Sequence, residues 1–438
     1  MSTAIDFLIC PRWLVPVVPD NVTLERYSVA VQKGRIVDIL PQSEARSRYQ
    51  AGEVIELPAH ALIPGLINLH AHAAMSLMRG LSDDLPLERW LNDVIWPAES
   101  RHVSPAFVRD GTRLAIAEML RGGITTCNDM YFFPDDAAKE FAEAGMRAVV
   151  GLIVVDFPSA WASDTDSYLH KGLAVRDKWS GHSLIRFALA PHSPYAVSDA
   201  GLERVACLAT ELDLPIHIHV HETANEISDS IKTTGARPLA RLERSNLLGP
   251  SLTAVHAVHL DENELALLAR RGCSVAHCPS SNMKLASGIA PVPAMIRHGI
   301  NIGLGSDGAA SNNRLDLFQE MRQAALLAKV SSSDASAVPA HTALRMATLG
   351  GARALGLEGL VGSIEIGKRA DLCAVAFDSP FTTPCFDPLS HLVYVCDRQQ
   401  VSHVWVDGNI RVRDGKTLLQ NSDNELLALA SLWQTRLV

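Results

Sequence analysis

Eight short apolar, β-branched runs, each stopping abruptly at polar side chains, constrain the fold of this chain more than any other feature. They are HALIPGLINLHAH, GITTCNDM, RAVVGLIVVD, IRFALAPHSP, PIHIHVHE, LTAVHAVH, CSVAHCPSSN and NIGLGSDG, spread from His60 to Gly308. Between them, segments such as SPAFVRDGTRLAIAEMLRG, DAGLERVACLATELD and DENELALLARRG repeat apolar residues at intervals of three and four, the spacing of a helix face. Strands that read as unbroken apolar runs are buried on both faces, as parallel strands under a shell of helices are. Eight strand-then-helix units predict an α/β fold, a (β/α)8 TIM barrel, with its chemistry at the C-terminal ends of the strands. Every run except the third ends in a polar cluster suited to a site.

Outside these runs, VAVQKGRIVDILP and VIELPAHALIP on one side, and IGKRADLCAVAFD and VSHVWVDGNIRVRDGK on the other, alternate like antiparallel strands joined by glycine turns. They predict a small β-sandwich built from both termini: residues 1–62 and 364–438 around a catalytic barrel of residues 63–363. With 438 residues, 47% of them hydrophobic, the chain can bury cores of this size. A formal charge of -9 without a basic stripe argues against nucleic acid as a partner. No apolar run reaches a membrane span, and the N-terminus lacks the pattern of a secretion signal, so the expectation is a cytoplasmic chain with a small-molecule partner. Eight cysteines contain no C-x-x-C pair, so a metal here would rest on histidine and carboxylate.

NLHAHAAM places His70 and His72 two apart at the end of the first run, where both imidazoles can reach the barrel mouth. An isolated H-x-H is weak evidence, because short motifs match by chance. His219 on the fifth run, His256 on the sixth and Asp307 on the eighth supply company. Imidazole nitrogens with one carboxylate suit Zn²⁺ or Fe²⁺ and leave room for a water. PIHIHVHET sharpens the question: strand alternation projects His217, His219 and His221 the same way and leaves Glu222 opposite. GLGSDG spells G-x-G-x-x-G, but Asp307 would repel a pyrophosphate. Its glycines are expected to let the backbone turn tightly instead.

PGLINLHAH, PHSPY, IHVHET, HCPSSNMKLASGIAPV and GLGSDGAASNN resemble the amidohydrolase superfamily, and within it the 5′-methylthioadenosine/S-adenosylhomocysteine deaminases and their chlorohydrolase relatives. The resemblance covers nearly the whole chain. It implies one divalent metal per chain, zinc first and iron as the alternative, held by His70, His72, His219 and Asp307. The family pattern H-x-x-E selects His219 with Glu222, leaving His217 to fill a barrel layer and His221 and His277 outside the first ring of contacts. Binuclear relatives bridge their metals with a lysine on strand four or five, and neither run has one. His256 would then hold the attacking water, and Glu222 would carry its proton to the ring.

The same resemblance implies that Trp90, Glu99 and His192 line a nucleoside site together with Glu222 and Asp307, under a lid formed by the long segment after the first run. It also implies a homodimer or larger assembly. Relatives that accept S-adenosylhomocysteine place arginines after strand three, whereas Leu152 to Lys171 contains none, so 5′-methylthioadenosine is the expected substrate. The rival readings are a triazine chlorohydrolase or aminohydrolase, a guanine or cytosine deaminase, and a metal-free scaffold.

Overall fold

In the computed structural model, which describes residues 3–437, the eight apolar runs form one parallel sheet in chain order. Its strands are Leu66–Ala71, Ile124–Tyr131, Arg147–Val154, Ile185–Pro191, Ile216–Val220, Leu252–His256, Ser274–His277 and Asn301–Leu304, called barrel strands one to eight. The backbone N–H of Asp307, beyond strand eight, donates to the His70 carbonyl of strand one at 2.9 Å and draws the sheet toward closure. Every residue of strands one, two, three, five, six and seven is buried, which is why these segments read as apolar runs rather than alternations.

The intervening helices begin and end where the sequence supplies caps. Ser104 accepts from the Phe107 N–H ahead of Pro105–Arg121, and Asp261 forms a capping box with Glu264 ahead of Glu262–Arg271, which Gly272 closes in the left-handed region.

A second sheet of nine strands gathers both ends of the chain. Tyr49–Pro64 sits near its centre, antiparallel to Leu372–Ala376 as the alternation suggested. It runs parallel to Thr3–Leu14, a strand that sequence reading did not anticipate. Ile9, Leu14, Val31, Leu62, Leu372 and Trp405, drawn from both halves, share one core. The last helix, Asp423–Leu437, reaches back to the barrel: Trp433 stacks edge-on against Phe107 and donates its indole N–H to Asp110 at 2.8 Å. Among the described residues no helix is long and apolar enough to cross a membrane. All eight cysteines are free.

Candidate active site

Strand five sorts its equally spaced histidines by a change of backbone. His217 and His219 both reach His70, one at each ring nitrogen: His217 Nε2 lies 3.0 Å from His70 Nδ1, and His219 Nε2 lies 3.2 Å from His70 Nε2. The strand stops at Val220, and His221 adopts a φ of 57°. That left-handed residue swings His221 outward, where its Nε2 accepts from the Leu239 N–H at 3.1 Å. Glu222 turns the other way and lines the cavity at the barrel mouth. The turn is clamped by Glu226, whose carboxylate accepts from the N–H groups of His221 and Glu222 at 3.0 and 2.8 Å. Glu226 is itself seated by Thr223, the cap of helix Ala224–Thr234. His256 and Asp307 also sit at positive φ, so three strands that feed the site end in strained turns.

Around His70 the donors converge. His70 Nε2 and His72 Nε2 lie 3.2 and 3.3 Å from the same Asp307 oxygen. His70, His72 and His219 form one cluster of mutually close ligand atoms, and His70, His256 and Asp307 form another. Two of the far nitrogens are committed: His72 Nδ1 lies 2.6 Å from the Met130 carbonyl and His219 Nδ1 lies 2.6 Å from the His192 carbonyl. A carbonyl only accepts, so both rings carry their proton on Nδ1 and, when neutral, present a bare lone pair at Nε2. His72 therefore faces Asp307 acceptor to acceptor, a repulsive contact that a cation between them would turn attractive. The donor set fits one divalent metal held by imidazole and carboxylate.

Burial and neighbouring imidazoles hold His219 well below the usual histidine range, and burial pushes His70 down to about 4 against the pull of Asp307. Burial works against an ionised Asp307, yet His70 and the imidazoles around it bring its pKa well below the ordinary carboxylate value. The Asp307 carboxylate accepts from Ser281 Oγ at 2.6 Å, Ser311 Oγ at 2.9 Å and the Gly308 N–H at 2.8 Å. Burial raises Glu222, which accepts from Ser287 Oγ at 3.4 Å and lies 3.7 Å from His256 Nε2. His256 is fixed by Asn282 Oδ1 at 2.8 Å. Burial opposes its charge, but Glu222 and Asp307 carry its pKa upward.

A cavity opens above this cluster. His72, His219, Glu222, His256 and Asp307 line its polar end, with His70 fully buried beneath. Trp90, Glu99 and His192 line it as well. Glu99 accepts from the Tyr131 hydroxyl at 2.7 Å, and burial pushes its pKa up to about 7. His192 packs its ring 4.7 Å from that of His219, and burial takes it down to about 3. Trp90 is 5% exposed. The segment expected to form a lid folds as short helical turns between Ala73 and His102.

His72, Trp90, Glu99, His192, His219, Glu222, His256 and Asp307 thus line one cavity with His70 beneath it, while His221 points to the outer helices. His277 is buried on strand seven and is absent from the cavity wall. The glycines of GLGSDG need a different explanation from the tight turn expected of them. A Cβ on Gly305 would lie 2.8 Å from His70 Cβ, so glycine there permits close approach of strands eight and one. Sequence reasoning missed Ser281, Asn282, Ser311 and Glu226, which position Asp307, His256 and Glu222. Glu226 had a signal in its T-x-x-E capping pattern.

A model of the amidohydrolase family matches residues 61–411. The chain belongs to the amidohydrolase family. It is 47% identical to a 5-methylthioadenosine/S-adenosylhomocysteine deaminase of Saccharophagus degradans, over 100% of this chain and 98% of that one. It is 43% identical to a 5′-deoxyadenosine deaminase of Methanothermobacter thermautotrophicus, over 92% of each. Among solved structures it resembles an adenosine deaminase from Xanthomonas campestris with bound zinc, with a TM-score of 0.98 and 48% identity over 100% of this chain and 99% of that one. The eight-stranded barrel with its second sheet is the architecture expected from the apolar runs.

Proposed function

We propose that this amidohydrolase removes the 6-amino group of an adenosine bearing a small neutral 5′ substituent, converting 5′-methylthioadenosine and water to 5′-methylthioinosine and ammonia. One observation carries the reading: buried Glu222 stands beside a histidine–aspartate cluster on the wall of one cavity, 3.7 Å from His256 Nε2. Relatives 43–48% identical that are named as adenosine-type deaminases support it.

His70, His72, His219 and Asp307 would hold one divalent cation, zinc first and iron as the alternative. Bound there, it would lower the pKa of a water from about 15.7 toward about 7. Strands four and five contain no lysine to bridge a second ion, which favours a single one. The remaining work belongs to the side chains. Asp307 and His256 orient the attacking water toward C6 of the purine. Glu222 takes a proton from that water and delivers it to N1, so that negative charge does not build on the ring as C6 becomes tetrahedral. Glu222 then passes the remaining hydroxyl proton to the departing amine, and ammonia leaves as the 6-oxo group forms. A carboxyl raised by burial suits a residue that must hold and release a proton in each turnover.

Glu99 would accept from ribose hydroxyls, His192 would contact the ribose or ring, and Trp90 would wall the nucleoside. The absence of arginine between Leu152 and Lys171 leaves the amino-acid carboxylate of S-adenosylhomocysteine unpartnered, so its use should be weak or nil. The proposal includes a cytoplasmic homo-oligomer, a dimer or larger, which light scattering tests. Steady-state comparison of 5′-methylthioadenosine, S-adenosylhomocysteine, adenosine, guanine and a chlorotriazine tests the activity. The expected kcat/KM for 5′-methylthioadenosine exceeds that for S-adenosylhomocysteine by at least about 100-fold. Equal use of the two would overturn the preference, and turnover of guanine or the triazine alone would overturn the reaction.

A further inference from the structure

We infer that Tyr131 is a positioning residue for the sugar of the substrate: its hydroxyl fixes and aims the Glu99 carboxylate, so that discrimination between a ribose diol and a sugar lacking it depends on Tyr131 as well as on Glu99. The inference rests on the reading that Glu99 accepts from ribose hydroxyls, and it adds the group that makes this acceptor competent.

Strand two supplies none of the candidate metal ligands, yet three successive residues at its C-terminal end hold the segment that follows strand one. Asp129 Oδ1 accepts from the Ala73 N–H at 2.7 Å, the Met130 carbonyl lies 2.6 Å from His72 Nδ1, and the Tyr131 hydroxyl donates to Glu99 Oε1 at 2.7 Å. The last of these contacts reaches the helix Trp96–His102. Tyr131 can serve as a fixed post because its ring is held by packing. It is 3% exposed, its ring centroid lies 6.4 Å from that of Phe107 and 5.5 Å from that of Phe132, and Trp433 backs Phe107 edge-on.

Tyr131 and Glu99 line the same cavity. Among the described residues the Tyr131 hydroxyl is the one group that hydrogen-bonds to the Glu99 carboxylate, and no lysine or arginine lines the cavity. A phenol that donates to one carboxylate oxygen leaves the other free to accept from the hydroxyls of a ligand. Burial pushes the Glu99 carboxyl up to about 7, and the Tyr131 hydroxyl pulls the other way by stabilising the anion. Without that donor the buried carboxyl would hold its proton more tightly and accept more weakly, since hydrogen bonds to an ionised carboxylate are the stronger ones.

The test compares 5′-methylthioadenosine with its 2′,3′-dideoxy analogue in wild type, Tyr131→Phe, Glu99→Gln and the double variant. Phenylalanine keeps the ring and its packing, so the change reports on the hydroxyl. Wild type should prefer the diol by at least about 100-fold in kcat/KM, and Tyr131→Phe should cut that preference to about tenfold or less, chiefly through a higher KM for the diol. Use of the dideoxy analogue, which offers Glu99 no hydroxyl, should stay within about threefold of wild type. The double variant should be no worse than Glu99→Gln alone, because Tyr131 acts through Glu99. Equal loss with both substrates, losses that multiply in the double variant, or a wild type indifferent to the diol would each overturn the inference. Titration calorimetry with the same two nucleosides, on Glu222→Gln protein with and without Tyr131→Phe, separates this inference from its parent. The expected pattern of Kd, with no deamination by wild type, would overturn the deaminase reading and leave the role of Tyr131 standing. Deamination with a diol preference that ignores Tyr131 would do the reverse.

Discussion

The two ends of the barrel both bury charged groups, and they close them in opposite ways. At the N-terminal end, Arg147 of strand three donates to both oxygens of Asp371 at 2.9 and 3.0 Å, and Asp371 also accepts from the Asp407 N–H at 2.8 Å. The two side chains are 4% and 1% exposed, and the pair is complete as it stands. At the mouth, His72 Nε2 and an Asp307 oxygen face each other as bare acceptors at 3.3 Å, with their far sides already hydrogen-bonded. A completed ion pair fixes the join between barrel and second sheet. An incomplete set, held in place from behind, is what the proposed cation would complete.

The comparison can be broken first at the mouth. Glu222→Gln should lower turnover by about 10²–10⁴-fold while metal content by elemental analysis stays unchanged, because Glu222 is outside both clusters of converging ligand atoms. Full activity would remove Glu222 from the mechanism. The opposite end should answer in stability instead. Arg147→Met strands a buried carboxylate and should cost about 3–5 kcal/mol in urea unfolding, with turnover per folded molecule kept. The double variant Arg147→Met/Asp371→Leu should recover most of that loss, and a double as unstable as the single would show that packing, not charge, governs the join.

His217 sharpens the contrast, because it supports the incomplete set without belonging to it. Its Nε2 is the partner of His70 Nδ1. His217→Leu should speed loss of bound zinc to a chelator by about 10–100-fold, while His217→Gln, which keeps an acceptor, should lose less. Equal rates for wild type and both variants would reduce His217 to a space-filler.

The smallest effect concerns pH. Glu320, fully buried on helix Leu317–Ser332, ties the loops after strands seven and eight by accepting from the Ser280 N–H at 3.1 Å and Asn312 Nδ2 at 2.9 Å. Burial raises its pKa from the ordinary 4.5 to about 7. The stabilisation from its protonated form is complete below about pH 4.5 and is lost as pH rises through about 7. Against Glu320→Gln, the Tm advantage of the wild type should shrink by roughly 3–5 °C between pH 5 and 8. A gap that does not change with pH would contradict this.

The barrel was legible because strands buried on both faces leave unbroken apolar runs, and the site because its histidines and acids sit where those runs stop. Local backbone decided what periodicity could not. Alternation alone puts His221 with His219, and it takes the positive φ at residue 221 to send that ring outward and bring Glu222 in. Thr3–Leu14 escaped notice because its burial is mixed and its parallel partner, Tyr49–Pro64, comes only after an intervening hairpin. Ser281, Asn282 and Ser311 were hidden for another reason. They act as hydrogen-bond partners across loops, and small polar residues in a loop carry no periodic signature.

Zinc-edge anomalous diffraction from crystals of protein prepared without chelators addresses the mouth of the barrel most directly. One peak per chain is expected, about 2.0–2.2 Å from the Nε2 atoms of His70, His72 and His219 and from an Asp307 oxygen. No peak there after soaking in zinc salt, or a peak that excludes those side chains, would contradict it.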